Sequence, residues 1–493
     1  MARNALAILI MAIGGPCLGS VSTNVPLYHW SYAAAAKLAD YGLIDSAMLS
    51  TKPVSRMEMA RLINAADTEA LKRGEKNHVI RALLDRLADE FRYELDRTGS
   101  AAGAVGQDFI KPVEDPYLRI VYGKEDFDLE NQAGDRFAKG GNGRLGFASR
   151  VNLFDNLALY LHPEFEDPST HDTGIELIEG YGKIQVGPWE IETGKDSLWW
   201  GPGYHGAMLM SNNAKNLTML KVSNPQPIQL PWLLKGLGPF KAVYFLTRLE
   251  EGRDDAPDAR LSGVRLSIKP HPWIELGGSR TVMFGGEGLP DIGLNDYLQV
   301  FWPKNMQGSE NQLASLDASV WLPLPRLAQA RAVKAYVEWA GEDAAGFSKY
   351  VPLVGLQVND LFRTGRTDLR IEYARTHVGG FPNIFYTHSV YTDGYTYDDR
   401  VIGHHMGTDS EDLFLRVAHY LSPDLVLGID VDRQRANLSA SPQPTTSQYG
   451  LDLLWFARHN WQLRAAYRFQ ETVSDGVFLG NNHIFDVSLV YNF

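Results

Sequence analysis

The chain has 493 residues, 44% hydrophobic and 22% charged, a balance that folds and excludes wholesale disorder. Its 47 Lys and Arg against 59 Asp and Glu give a net charge of −12, which repels nucleic-acid backbones and offers no polybasic membrane anchor, so no nucleic-acid partner is expected. Past the first twenty residues no apolar run approaches the roughly 18 needed for a spanning helix, which excludes a helical membrane protein but not a β-barrel, whose lipid- and lumen-facing residues alternate. The 22 Tyr, 21 Phe, 11 Trp and 46 Gly lean toward strands, tight turns and aromatic girdles.

At the N-terminus, Arg3, the apolar run Ala5 to Ile13 and the small residues through Ser20 read as a Sec signal peptide over residues 1–20, with cleavage near residues 19 to 22. Pro16 ahead of Cys17 disfavours a lipoprotein. Removal of Cys17 leaves no cysteine, and with it go thiol catalysis, disulfides and Cys-ligated metals.

Residues 25–97 have helical periodicity. Trp30, Ala34, Leu38 and Tyr41 recur every three or four residues up to Gly42, a natural helix-ending residue. Ser55 and then Glu58 form a capping box, with Val54 and Met59 as its hydrophobic staple. Ile80, Leu83, Leu84, Leu87, Phe91 and Leu95 make the stripe of a third helix. Three short helices in a bundle are predicted. His29-Trp30, Gly42-Leu43-Ile44 and Lys52-Pro53-Val54-Ser55-Arg56 with Glu58 are similar to surface-layer-homology modules, which implies binding of a wall polymer such as peptidoglycan as one role. A purely structural bundle that closes or braces the remainder of the protein is the other. Residues 98–112, carrying Thr-Gly-Ser-Ala-Ala-Gly-Ala-Val-Gly, read as a flexible linker.

From residue 113 to 493 the period switches to two. Val487, Leu489, Tyr491 and Phe493 share a face opposite Asp486, Ser488 and Asn492. Leu463, Ala465, Tyr467 and Phe469 alternate with Gln462, Arg464, Ala466 and Arg468; Leu425, Leu427, Ile429 and Val431 with Gly428, Asp430 and Asp432; Leu369, Ile371 and Tyr373 with Arg370 and Glu372. The apolar faces suit outer-membrane lipid and the charged faces an interior. Phe154-Asp155-Asn156, Lys269-Pro270-His271-Pro272 and Ser422-Pro423-Asp424 are tight turns, whereas Gly380 to Ser410 and Ser439 to Ser447 are long loops, the asymmetry of an outer-membrane barrel. Roughly 20 residues per strand and connection leave room for some 16 to 20 strands.

Motifs for common chemistries are missing: there is no G-x-x-x-x-G-K-[ST], H-E-x-x-H or G-x-S-x-G. Gly201-Pro202-Gly203-Tyr204-His205-Gly206 satisfies G-x-G-x-x-G, but no strand pattern precedes it and Pro202 obstructs the turn into a helix. Glu164 and Glu166 share a strand face and form either a hydrolytic carboxylate pair or an interior ion network, the latter favoured. His404 and His405 on a strand would face opposite ways, a poor metal pair. No catalytic group, metal or cofactor is expected. Trp199, Trp200, Tyr204, His205 and Asn212, then Arg280 and Glu287, then Tyr395, Arg400 and His404 set aromatic faces beside hydrogen-bonding groups, which suits sugars because rings cover pyranose C–H faces while forked Arg and amide groups match hydroxyls or carboxylates. Loops that merely pack as a plug would carry the same residues.

These segments resemble the capsule-assembly Wzi family of outer-membrane proteins. The resemblance rests on Leu198-Trp199-Trp200-Gly201-Pro202-Gly203-Tyr204-His205-Gly206 with Leu209, Ser211, Asn212 and Asn213; Ser223-Asn224-Pro225; Gly238-Pro239; Ser279-Arg280; Phe284-Gly285-Gly286-Glu287-Gly288; Asn311-Gln312-Leu313-Ala314; Gly341-Glu342-Asp343 with Gly346; Gly394-Tyr395-Thr396-Tyr397; and Arg400-Val401-Ile402-Gly403-His404 with Gly407 and Asp409. It implies a mainly β protein: a transmembrane antiparallel barrel of 18 strands with an N-terminal periplasmic helical bundle, largely plugged. The implied role is a non-enzymatic, lectin-like anchor of capsular or exopolysaccharide. A porin or sugar channel and a polysaccharide hydrolase are the alternatives. Asp398-Asp399 depart from the basic loop expected there and leave the sugar's charge open.

Overall fold

A computed structural model describes residues 21–99, 108–168, 173–290, 310–325, 328–342, 349–381, 383–457 and 460–492. The signal peptide assigned to residues 1–20, residues 100–107 of the linker and the terminal Phe493 lie outside them. Thr98 and Gly99 close a helix and residues 109–112 already belong to the first strand, so regular structure enters the predicted linker from both sides.

Eighteen antiparallel strands close into one barrel. They are β1 (Phe109–Gly123), β2 (Gly140–Leu153), β3 (Leu157–Pro168), β4 (Gly174–Val186), β5 (Trp189–Asp196) and β6 (Leu217–Ser223), then β7 (Pro239–Arg248), β8 (Arg260–His271), β9 (Ile274–Phe284), β10 (Asn311–Pro323), β11 (Ala332–Glu342) and β12 (Tyr350–Leu361). The last six are β13 (Thr367–Arg375), β14 (Glu411–Ser422), β15 (Leu425–Arg435), β16 (Pro444–Phe456), β17 (Trp461–Ser474) and β18 (Val477–Tyr491). Each pairs with its chain neighbour, and β1 closes the ring by pairing with both β2 and β18. Closure leaves no free edge, so every strand meets its backbone hydrogen bonds inside the wall, as a hydrocarbon surround requires.

The period-two pattern resolves as the sequence predicts. Ile371, Leu415, Ile429, Leu451, Phe485, Val487 and Leu489 stand exposed on the outer wall, while Arg370, Arg416, Asp430, Arg464, Arg468 and Asp486 line an interior cavity. Exposed aromatic residues collect at the ends of this apolar band: Phe154, Trp232, Trp273, Phe362, Trp455 and Trp461 at one end, Tyr122, Phe165, Tyr350 and Phe478 at the other. An apolar exterior bounded by aromatic belts is that of an integral membrane barrel of the outer-membrane type. Among the described residues no helix is long and apolar enough to cross a membrane.

The turns at residues 154–156, 270–273 and 423–424 all lie at the end closed by the helical head; Val21 N donates to Asp155 O at 3.0 Å and Arg86 Nη2 meets Asp424 Oδ1 at 2.5 Å. The long loop after β15 lies earlier than expected, between Arg435 and Pro444, because β15 ends and β16 starts before the predicted bounds.

The head contains four helices, not three: α1 (Ser31–Asp40), α2 (Arg56–Arg73), α3 (His78–Glu90) and α4 (Arg92–Gly99). Phe91 leaves helical geometry with φ −106° and ψ 22°, which splits the predicted third stripe. Gly42 adopts φ +80°, a left-handed conformation in which a side chain is strained. Ser55 caps α2 by accepting from Glu58 N at 3.1 Å, but the return half of the capping box is absent: both Glu58 oxygens take the Arg61 guanidinium.

Within the region that resembles surface-layer modules, Lys37, Asp40 and Tyr41 reach the barrel, whereas Arg56 and Glu58 find their partners inside the head. Asp40 accepts from Trp321 Nε1 at 2.7 Å and Gln357 Nε2 at 2.9 Å, Lys37 pairs with Asp368 at 2.7 Å, and Arg331 Nη2 donates to Tyr41 Oη at 2.7 Å. Trp30 packs edge-on to Phe456, and Tyr420 joins the head's apolar core. The head is thus seated as a brace in the barrel mouth.

Candidate functional site

Two loops fold inward and fill much of the lumen: residues 197–216 between β5 and β6, and residues 376–410 between β13 and β14. The first reaches the head, where Trp199 and Trp200 pair with Lys52 and Thr51 as a two-residue antiparallel ladder, and Gly201 N donates to Ser50 O at 2.9 Å.

The G-x-G-x-x-G segment binds an anion, but the anion is part of the wall. The Glu372 carboxylate on β13 accepts from the backbone N–H of Tyr204 (2.8 Å), His205 (2.9 Å) and Gly206 (3.2 Å), and from the Tyr336 hydroxyl (2.6 Å). Successive N–H groups converging on one carboxylate are the geometry that loops use for phosphate. Glu338 on β11 extends the cradle by accepting from Met208 N at 3.0 Å. Glycine is required for this closeness: a Cβ on Gly203 would collide with Gly206 O, and one on Gly206 with the His404 ring.

The second loop locks the first. Ser211 Oγ donates to Gly403 O at 2.5 Å, Asn213 Nδ2 to Val401 O at 2.9 Å, and Tyr386 Oη to Met208 O at 2.5 Å. Burial pushes the Tyr386 phenol well above the ordinary tyrosine range, so it remains a donor. Arg400 ties three loops together through Asp128 (2.5 Å), Leu129 O (3.1 Å) and Asn213 Oδ1 (3.1 Å).

The ten residues singled out from sequence do not converge on one surface. Trp200 is 0% exposed, and Tyr395 and His404 are almost as deeply buried. Tyr395 donates to Thr281 Oγ1 at 3.1 Å, and burial, then the two neighbouring imidazoles, hold His404 well below the usual histidine range. These three, with Arg400, are plug packing. Ser279 and Thr281 face the lumen, so strand alternation turns Arg280 to the outer side, where it donates to Gln312. Glu287 stands exposed beyond the end of β9. Trp199, Tyr204 and Asn212 line the lumen cavity. His205 stacks on Phe414 at 3.9 Å.

That cavity holds about 910 Å³ and runs along one side of the lumen, from Phe456 and Asn492 beside the head to Arg136 and Lys215 among the loops. Tyr204, 44% exposed, lines it, with the Arg370 guanidinium 4.3 Å from its ring centroid and Phe414 stacked at 5.9 Å. Arg416 is matched by Asp452 at 2.7 Å and Asp430 at 3.1 Å. Glu164 and Glu166 both turn to Arg144 at 3.5 Å, and Glu164 also accepts from Tyr117. They form the interior ion network that the sequence favours over a hydrolytic pair.

Sequence reasoning placed Glu372 on an inner face but missed that it holds the plug, together with Glu338 and Tyr386. An acid on a strand's inner face signals only that the lumen is polar, and the partner loop is far away in the chain. It also misplaced His404 and His405. They sit in an irregular loop rather than a strand, so both rings face the same way, 4.5 Å apart.

The structure is similar to that of Wzi of Escherichia coli, described as an outer membrane protein involved in group 1 capsule assembly and as a carbohydrate-binding β-barrel, with TM-score 0.73, 20% identity, 96% of this chain and 100% of that chain covered. Outer membrane protein OprD of Pseudomonas aeruginosa overlaps at TM-score 0.45 with 10% identity, over 80% of this chain and 96% of that one, too loosely to bear on function. An uncharacterised 55.8 kDa protein in the cps region of Klebsiella pneumoniae is 28% identical over 172 residues, which is 34% of this chain and 33% of that protein, so the match spans about a third of the relative's length. Residues 121–482, nearly three quarters of the sequence, match the capsule assembly protein Wzi family, and the chain belongs to that family.

Proposed function

We propose that the protein sits in the outer membrane with its head in the periplasm and holds capsular or other exported polysaccharide at the cell surface, without transforming it. The observation that carries this reading is the membership of the Wzi family over most of the barrel, together with a lumen occupied by two interlocked loops and a head that braces one mouth. A barrel so filled suits a surface platform better than a conduit. Loops at the head-distal end, with Tyr204, Trp199 and Asn212 in the cavity beneath them, supply ring faces and amides of the kind sugars need.

Deleting the gene in an encapsulated host, then restoring it, tests the proposal. Polysaccharide is expected to move from the cell-bound to the released fraction at constant total yield, and to return on complementation. Full retention without the protein rejects it. The cavity running from head to loops favours one second reading, a narrow channel. Planar-bilayer recordings separate the two: the platform passes little current, whereas sustained single-channel steps that a sugar blocks support the channel.

A further inference from the structure

Inside the plug, below the loops, five titratable side chains meet from four separate parts of the chain. Glu130 comes from the loop after β1, His205 from the loop after β5, His405 from the loop before β14, and Asp412 and Asp432 from β14 and β15. His205 Nε2 stands 3.5 Å from Asp432 Oδ2, 3.8 Å from Asp412 Oδ2 and 3.9 Å from Glu130 Oε2, and His405 Nε2 is 2.9 Å from Asp412 Oδ2. One ligand atom each from Glu130, His205, His405 and Asp432 fits within a 4.8 Å span.

Two properties separate this cluster from an ordinary ion network. The first is charge: three carboxylates share the pocket, and among the described residues no Lys or Arg pairs with any of them, only the two imidazoles. Buried carboxylates without a cation are costly. The second is unmet bonding. His405 and Asp412 are 3% and 2% exposed. Both His405 nitrogens, both Asp412 oxygens, His205 Nε2 and Asp432 Oδ1 are buried without a hydrogen-bond partner among the described residues. The 2.9 Å approach of His405 to Asp412 therefore has the distance of a hydrogen bond but not its angle.

We infer that His205, His405, Asp432 and Glu130 bind one divalent transition-metal ion of the zinc class, with Asp412 as a positioning carboxylate beside His405. Imidazole and carboxylate ligands in fours are what zinc takes, at about 2.0–2.2 Å from the metal, which puts ligand atoms roughly 3.3–3.6 Å apart in a tetrahedron. His205 to Asp432, at 3.5 Å, matches that edge, and His205 to Glu130, at 3.9 Å, lies beyond it, so the four ligand atoms would draw together around the ion. A carboxylate against a ligating histidine is the usual orienting arrangement. Such an ion would join two plug loops, the loop after β1 and two wall strands at a single point, fixing the plug by coordination where the sequence supplies no disulfide.

Tag-free full-length protein in detergent, stripped with chelator and titrated with Zn²⁺ alone, tests this. One zinc per chain is expected after gel filtration, and Co²⁺ in its place should give the strong visible absorption of a four-coordinate site. Asp432→Asn and His405→Gln, which preserve size, should abolish both signals while the barrel still shows its folded mobility on unheated gels. Asp412→Asn should weaken zinc binding by about 10–100-fold without abolishing it. Wild-type protein that holds no zinc and leaves Co²⁺ with the weak spectrum of the solvated ion overturns the inference and identifies the cluster as histidine–carboxylate ion pairs. Zinc retained by both variants overturns it too, since the ion then sits elsewhere. If either variant does not fold, the wild-type stoichiometry and cobalt spectrum decide.

Discussion

Glu372 is the residue on which the inward loop turns. One carboxylate satisfies three consecutive backbone N–H groups and a tyrosine hydroxyl, and hydrogen bonds to a charged acceptor contribute roughly 1.5–3 kcal/mol each, with a further penalty when a buried donor is left unpaired. Glu372→Gln keeps the shape but removes the charge and places N–H donors against N–H donors. The expected result is a loss of about 2–3 kcal/mol, read as a lower thermal transition in detergent, with residues 197–216 newly open to protease while the barrel wall survives. An unchanged proteolysis pattern would show that the loop is held by its apolar contacts alone. The flanking glycines leave this loop little steric room: Gly203 and Gly206 occupy positions where even a methyl group meets backbone or a buried ring.

Between secondary-structure elements, the head and the plug meet in the two-residue ladder of Thr51–Lys52 with Trp199–Trp200. Lys52 lies 5.4 Å from the ring centroids of both Tyr32 and Trp199. Burial, with repulsion from Lys334 and Arg370, lowers its ammonium to about 8. An unfolded lysine titrates near about 10.4. Between those values the unfolded chain binds more protons than the folded one, so this group's contribution to stability rises as pH climbs from about 8 to about 10.4. Lys52→Met removes the burial cost while filling the same space. The variant should melt above wild type at a pH of about 7.5, and the gap should shrink by about pH 10. A gap that is constant with pH would mean that Lys52 carries no such cost.

The barrel in its entirety is governed by a closed wall whose outer face meets hydrocarbon. Leu451, 47% exposed near the middle of β16, belongs to that face. Leu451→Arg should cost about 2–4 kcal/mol, the range for a cation at the bilayer midplane, measured by denaturant unfolding from lipid vesicles. A cost near zero would mean that this face is not in lipid. Alternation and helical period are local properties that neighbouring residues settle between them, so the barrel, its inner and outer faces, its short and long ends and the helical character of the head were all legible in the chain. The family resemblance was legible for the same reason, since the Gly-rich motifs are contiguous. What those motifs touch was not. Arg280 and Thr281 are adjacent yet lie on opposite sides of the wall. His205 and His405 are far apart in sequence, yet their rings are 4.6 Å apart. The anion that fills the glycine loop comes from a strand 166 residues downstream of Gly206. These pairings exist only once the barrel has closed and its loops have folded back into the lumen, and no local pattern in a single chain records them.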